Sequence, residues 1–285
     1  LMSSLASTPS LPLKFFSAWF CPYAQRAWIA LELHKIPYEL IEALSLQESD
    51  YSSPYEKNEE LLRLNPKGLV PTLKIPKTDL DRKNVEDFLV VIESMDCVEY
   101  INQHLANTTI ATTDGKKETV STTNPKSFIP DESYMEDAKR WNREICSIFY
   151  KVLMKQTARE QSEAFETFTN SLSEFVQCIQ DNGGYYKQCA KDGPNIVDVT
   201  VVPWLLRLHV LEYYRSHLSV SESMGKKNHK QLMQYKDRMI NLPAVQTTIA
   251  KDGEKLIRVY KRYADGTAKS KVADAVRAGK NAHEI

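Results

Sequence analysis

Leu13-Lys14-Phe15-Phe16-Ser17-Ala18-Trp19-Phe20-Cys21-Pro22-Tyr23-Ala24-Gln25-Arg26 is the stretch on which the fold turns. Leu13 to Trp19 is an apolar run rich in aromatics and reads as a buried strand. Pro22 then opens a helical stretch in which Ala27, Ala30 and Leu31 recur at the spacing of a core-facing stripe. Cys21 therefore stands at or beside the helix N-cap, with Pro22 at the first helical position, where a missing N–H costs little. The first-turn N–H groups and the helix dipole point at such a sulfur and favour the thiolate, which is the nucleophile. A thiolate so placed attacks mixed disulfides and thioethers and forms a disulfide with a small thiol. A buried, inert thiol is the ordinary alternative for a lone cysteine. That alternative is the reading for Cys97, Cys146, Cys178 and Cys189, of which Cys97 and Cys146 fall at core-facing helical spacing.

Downstream, Pro37 ends the helix and Tyr38 to Ala43 reads as a second strand. Glu56 to Leu64 is a short polar helix, followed by the turn chemistry of Asn65-Pro66-Lys67-Gly68. Val70 to Ile75 and Phe88 to Ile92 read as strands, and Ser94 to Leu105 as a helix with Cys97, Val98, Ile101 and Leu105 inward. The order βαβαββα over residues 13–105, after a tail at 1–12, is an α/β unit. Residues 106–132 are rich in Thr and Ser and read as a linker or insertion. Residues 133–263 carry helical patterning only, with spans expected at 133–156, 159–181, 196–217, 228–241 and 243–262. Asn195-Ile196-Val197-Asp198 reads as an N-cap with a reciprocal acid three residues on. Residues 264–285 are Ala/Lys-rich and read as a loosely held helix or a tail.

The chain has 285 residues, with 37 basic and 37 acidic side chains. Zero net charge argues against a dedicated nucleic-acid binder, which needs a basic surplus. No apolar run approaches the roughly 20 residues that span a bilayer, so no membrane role is expected. Leu1 to Ser10 lacks the basic and apolar regions of a secretory signal. The five cysteines are scattered and no pair has CxxC spacing, which reads as reduced thiols in a cytoplasmic protein. No HExxH or paired-ligand spacing occurs, so no metal is expected. The neutrality is an average: residues 32–60 hold eight acids and two bases, whereas residues 226–263 hold ten bases and three acids. Solvated helix faces account for both runs, and the basic one also suits anionic or phenolate ligands.

Cys21-Pro22-Tyr23-Ala24 resembles a glutaredoxin site whose second cysteine is gone. Asn65-Pro66-Lys67-Gly68-Leu69-Val70-Pro71 and Ile92-Glu93-Ser94 are similar to the glutathione-binding motifs of glutathione transferases. Asn195-Ile196-Val197-Asp198 followed by Pro203-Trp204 is similar to that family's capping box. A cysteine in this context resembles the omega class, over about residues 13–263. The resemblance implies a thioredoxin-like N-terminal domain on an all-α C-terminal domain, the glutathione transferase fold, with glutathione as co-substrate. It implies Cys21 as the catalytic nucleophile, with Phe20, Pro22 and Leu69 lining the glutathione. Val70 is expected before a cis Pro71, its backbone pairing with the cysteinyl part of glutathione like an added strand. Ser94 is implied for the γ-glutamyl carboxylate, Glu93 for its ammonium and Lys57 for the glycyl carboxylate. Ser94 is equally an N-cap, and Lys57 equally an exposed lysine.

On the substrate side the resemblance implies a pocket at Tyr23, Arg207 and Tyr260. A snorkelling arginine and a packing tyrosine explain the last two equally well. Gly253 stands where omega enzymes often carry tryptophan, which implies a wider pocket; the 106–132 insertion is a second departure. A lone thiolate favours a monothiol cycle: thioltransferase, deglutathionylation and dehydroascorbate reductase activity, with weak conjugation. The partners implied are glutathione, aromatic or glutathionylated small molecules, and a second copy of the chain in a homodimer. The alternatives are a glutathionyl-hydroquinone reductase, expected to carry Trp where Tyr23 stands, a non-catalytic carrier of aromatic ligands, and a chloride-channel-like relative, which lacks the Glu-Ser pair.

Overall fold

The computed structural model describes residues 12–46, 54–77, 87–105, 109–111, 117–119, 127–180, 183–250 and 252–284. The chain forms two compact units, Leu1–Leu44 with Lys57–Pro125, and Ser45–Glu56 with Lys126–Ile285. The expected 13–105 domain thus yields residues 45–56 to the helical unit, where the Arg262 guanidinium lies 3.9 Å over the Tyr55 ring.

In the first unit, β1 (Lys14–Ser17) is a central strand with Phe15 and Phe16 both fully buried. A strand covered on both faces needs apolar residues at successive positions. β2 (Glu39–Glu42) pairs parallel to β1, with Phe15 opposite Leu40. Parallel neighbours need a crossover, which α1 (Pro22–Leu33) supplies. β3 (Thr72–Pro76) runs antiparallel to β1 with Phe16 opposite Thr72, and β4 (Phe88–Ile92) antiparallel to β3. The sheet order is β2-β1-β3-β4. α2 (Glu59–Leu64) precedes β3, and α3 (Ser94–Tyr100) packs on α1 and continues as a π-helical turn over Ile101–Leu105. Apart from two-residue strands at Leu44–Ser45 and Glu56–Lys57, the order is the expected βαβαββα of a thioredoxin-like domain. Two boundaries moved for local reasons. Asn58 accepts from the Leu61 N–H at 3.0 Å and caps α2. Pro71 has no N–H for the ladder, so β3 begins at Thr72.

The segment expected as a linker contains a small hairpin, β5 (Thr109–Ala111) against β6 (Lys117–Thr119), in keeping with its β-branched threonines. The rest of 106–126 lies outside the described residues.

The second unit is helical: α4 (Glu132–Trp141), a π-helical stretch at Asn142–Ser147, α5 (Ile148–Met154), α6 (Ala158–Gln177), α7 (Ile196–Leu205), α8 (Leu208–Tyr214), α9 (Val220–Ile240), α10 (Pro243–Gln246), α11 (Gly253–Ala264) and α12 (Lys271–Arg277). The expected 196–217 helix is two, with Pro203 inside α7 and the break at Leu206–Arg207. The 228–241 span begins earlier, at a cap where Ser219 accepts from Glu222 N–H, and is kinked at Gly225, whose φ is 74°. The 243–262 span is also two helices, because Asp252 caps a new one by accepting from Lys255 N–H at 2.8 Å. The loose terminus is corrected as well. Ala273, Ala275, Val276 and Ala282 are buried, α12 packs on α5, and Ser147 Oγ lies 2.9 Å from His283 Nδ1. Small side chains allow that close approach without a strong apolar stripe. Among the described residues no helix is long and apolar enough to cross a membrane.

Two buried charges organise this unit. Asp198, fully buried, accepts from the Asn195 N–H at 2.8 Å, the Tyr186 N–H at 3.1 Å and the Tyr235 hydroxyl at 2.6 Å. Arg215 ends α8 and donates to the carbonyls of Val152, Leu153, Lys155 and Ala264 at the ends of α5 and α11, with Gln161 and Gln156 adding donors to the last two. Lysine offers no planar fork for this set. Arg215→Lys is expected to lower the unfolding free energy by about 3 kcal/mol in a urea titration. Burial raises the Asp198 carboxyl to about 6, against the pull of its donors. The folded state then binds the proton more tightly than the unfolded chain. The stability this group contributes is full below about pH 4 and is lost as pH rises through about 6. Comparing wild type with Asp198→Asn at pH 4 and 7, the wild type should lose about 2 kcal/mol more over that interval.

Candidate active site

The site is built in the first unit, where β1 ends. The chain turns after Ser17, with the Cys21 N–H donating to the Ala18 carbonyl at 2.9 Å, and Cys21 becomes the N-cap of α1. Pro22 occupies the first helical position and Cys21 makes no side-chain capping bond. Phe20 and Pro22 are buried, while Trp19 and Cys21 are half-buried. Its Sγ lies 3.9 Å from the carbonyl oxygen of Val70.

That second wall follows from the turn at 65–68. Asn65 is 3% exposed; its Nδ2 donates to the Leu69 carbonyl at 3.2 Å and its carbonyl accepts from Gly68 N–H at 2.7 Å. Thr72 Oγ1 also donates to the Leu69 carbonyl, at 3.0 Å. The Val70–Pro71 peptide bond is cis, as expected. Lys57 Nζ reaches across the turn to the Lys67 carbonyl at 3.0 Å. Gly68 makes room for it: φ is +61°, and an added Cβ would fall 2.5 Å from Lys57 Cδ.

The third wall is the start of α3. Glu93 is exposed with φ at 67°, a conformation that costs a residue with a Cβ on the order of 1–3 kcal/mol. Ser94 is 9% exposed, and its Oγ accepts from Arg26 Nη1 at 3.1 Å. Arg26 is fully buried in the second turn of α1, with its Cζ 5.2 Å from the centroid of the Tyr23 ring. Cys21, Val70 and Ser94 are thus fixed by the end of β1, the entry to β3 and the entry to α3.

The sequence reading left Arg26 without a role. The signal was present: Tyr23, Ala27 and Ala30 mark the buried face of α1, and a charged residue beside them needs a partner. Tyr23, expected at the substrate pocket, is 8% exposed and turned against Arg26.

The remaining expected residues lie in the helical unit. Arg207 is 2% exposed and its Nη1 donates to the Pro203 carbonyl at 2.6 Å, so it does not snorkel. Tyr260 is 2% exposed, stacked on Tyr150 at 6.4 Å and edge-on to Phe149 at 6.3 Å. Gly253 is exposed at the first turn of α11, and an added Cβ would meet nothing within 4 Å. Cys97 and Cys146 are fully buried, and burial raises the Cys97 thiol well above its ordinary value. Cys178 is half-buried and Cys189 exposed. Among the described residues no cluster of His, Cys, Asp and Glu is arranged to hold a metal.

Comparison with known proteins places this geometry. Residues 20–104 match the family described as glutathione S-transferase, N-terminal domain. The chain is 25% identical to glutathione S-transferase omega-1 of Mus musculus over 211 residues, 72% of this chain and 70% of that protein. It is 24% identical over 233 residues to pyrimidodiazepine synthase of Drosophila melanogaster, 82% of this chain and 79% of that one. The crystal structure of glutathione transferase Omega 3C from Trametes versicolor matches with a TM-score of 0.63 at 24% identity, covering 92% of this chain and 95% of that one.

Gly68→Ala should cost about 2 kcal/mol of stability. Gly279→Ala, also at positive φ but with open space around its Cβ, should cost less. Adding Lys57→Ala to Gly68→Ala should recover the difference between the two in denaturant titrations.

Proposed function

Because the chain belongs to the glutathione transferase superfamily, on its omega-like side, we propose that it is a glutathione-dependent thioltransferase with Cys21 as nucleophile. The observation that carries this reading is the place of Cys21: a half-open thiol at the cap of α1, 3.9 Å from the Val70 carbonyl. The first turn of α1 favours the thiolate. The Val70 backbone offers an extended ligand a strand to pair with, which brings a bound glutathionyl sulfur to the nucleophile.

In the first step the Cys21 thiolate attacks the glutathionyl sulfur of a mixed disulfide. The Cys21–glutathione disulfide forms, the substrate's S–S bond breaks, and the substrate leaves as a thiolate that takes a proton from solvent. A second glutathione, as thiolate, attacks its counterpart on Cys21. Glutathione disulfide leaves and the Cys21 thiolate is regenerated. The glutathionyl group taken from the substrate and one free glutathione end in one disulfide, and the substrate sulfur gains the electron pair. Ala24 stands where a second, resolving cysteine would lie in a dithiol site, so the second glutathione performs that step. Dehydroascorbate reduction follows from the same nucleophile: Cys21 adds to a carbonyl carbon, a glutathione thiolate attacks the Cys21 sulfur so that the C–S bond breaks and ascorbate leaves with the electron pair, and a further glutathione resolves the resulting Cys21–glutathione disulfide.

For glutathione, Lys57 is assigned to the glycyl carboxylate, and Glu93 and Ser94 to the γ-glutamyl ammonium and carboxylate. Phe20, Pro22 and Leu69 line the tripeptide between them. On the helical unit, Arg207 and Tyr260 are assigned to the substrate pocket, acting from its buried layer, while Gly253 leaves its rim open to bulky aromatic groups. A cytoplasmic site of action, where glutathione is abundant and thiols stay reduced, suits this cycle, as does a homodimer.

Cys21→Ser should lower the rate of glutathione-dependent reduction of a glutathionylated peptide by at least about a thousandfold, since no other thiol takes its place. Loss of glutathione from the peptide at the wild-type rate in this variant would remove Cys21 from the mechanism. A gain of glutathione conjugation to an aromatic electrophile is expected alongside, because serine activates glutathione without trapping it.

A further inference from the structure

We propose that Arg26 is a positioning residue of the glutathione site, acting through the hydroxyl of Ser94; this rests on the glutathione reading above. Arg26 is fully buried, and its Nη1 lies 3.1 Å from Ser94 Oγ. A guanidinium has only donors, so Ser94 Oγ is the acceptor in this bond. Among the described residues that is the one side-chain hydrogen bond of Ser94, which stands at the first helical position of α3, after the N-cap Glu93.

A hydroxyl has a single proton and two lone pairs. With a lone pair committed to Arg26, the proton cannot turn toward α1 and is left to be donated elsewhere. A fixed cation bonded to the hydroxyl oxygen polarises the O–H and strengthens what it donates. The group that gains most is an anionic acceptor. Arg26 therefore converts a serine that could point either way into a preset donor for a carboxylate. It also places positive charge behind that donor without touching the ligand.

The location of Arg26 adds a second consequence. It lies on α1, the helix that Cys21 caps, and the Tyr23 ring in the first turn backs the guanidinium at 5.2 Å from its Cζ. The nucleophile and the group that orients the carboxylate anchor thus ride on one rigid helix. Their separation is set by helical geometry rather than by a loop, as positioning an attacked sulfur against a thiolate requires.

The test is a double-mutant cycle on glutathione affinity, measured by titration calorimetry on the full chain. Arg26→Met should weaken glutathione binding about tenfold, the loss expected for a charge-assisted bond. In a Ser94→Ala background the same substitution should change affinity by less than about twofold, because its effect runs through the hydroxyl. 4-Aminobutyryl-cysteinylglycine, which lacks the γ-glutamyl α-carboxylate, should bind wild type and Arg26→Met alike. Arg26→Lys is carried through the same cycle, so that a variant keeping the buried charge and its folding is available. Equal losses from either Arg26 substitution with and without Ser94, or equal weakening of the truncated peptide, would overturn the positioning role. If wild type binds the truncated peptide as tightly as glutathione, the γ-glutamyl assignment of Ser94 fails first and takes this inference with it.

Discussion

The antiparallel register of β1 on β3 decides where chemistry can happen in this chain. Phe16 faces Thr72. The residues that follow β1 and those that precede β3 therefore leave the sheet at the same end, and Cys21 and Val70 are brought together before any side chain is considered. A shift of one residue would turn the fully buried Phe15 and Phe16 about and exchange the faces of the strand. Burial on both sides of β1 makes that shift costly, so the register, and with it the 3.9 Å approach of thiol and carbonyl, inherits the stability of the core. The parallel partner β2 adds a second condition. Its connection must cross the sheet, and the crossover helix starts at the thiol.

The helical unit solves a different problem. Short helices leave many polar ends, and ends buried without partners are expensive. Here two charged side chains collect them. Arg215 gathers carbonyls from the ends of α5 and α11, and Asp198 gathers N–H and O–H donors from α7's cap, Tyr186 and α9. Each ties together segments distant in sequence, and neither could be replaced by an apolar residue without stranding its partners. Beside Asp198, Tyr186 stacks on Phe175, and Phe175 meets Trp141 edge-on.

Much of this was legible in the sequence because local chemistry and the fold agree. The strand-then-proline junction at 13–26, the turn at 65–68 and the Asn195–Asp198 cap each carry their own geometric signal, and each stands where it was expected. What escaped has physical causes. Arg26 was hidden because its partner, Ser94, lies 68 residues away, and no periodicity reports such a pairing. The docking of residues 271–284 was missed because alanines pack by being small, which leaves no apolar stripe to read. The break before α11 was legible in Asp252-Gly253 but was outweighed by the helical pattern on either side. Arg207 does not snorkel: it is 2% exposed and donates to the Pro203 carbonyl within its own unit, a bond that residue spacing does not report.

The distribution of the inert thiols has an experimental use. Cys97 is fully buried in the sheet-bearing unit and Cys146 fully buried in the helical one. Each is a natural reporter that a modifying reagent reaches only when its own unit opens. Pulsed alkylation followed by peptide mass analysis would therefore read the opening rates of the two units separately, in the unaltered chain. It would tell whether the two units open together or whether one lets go while the other holds.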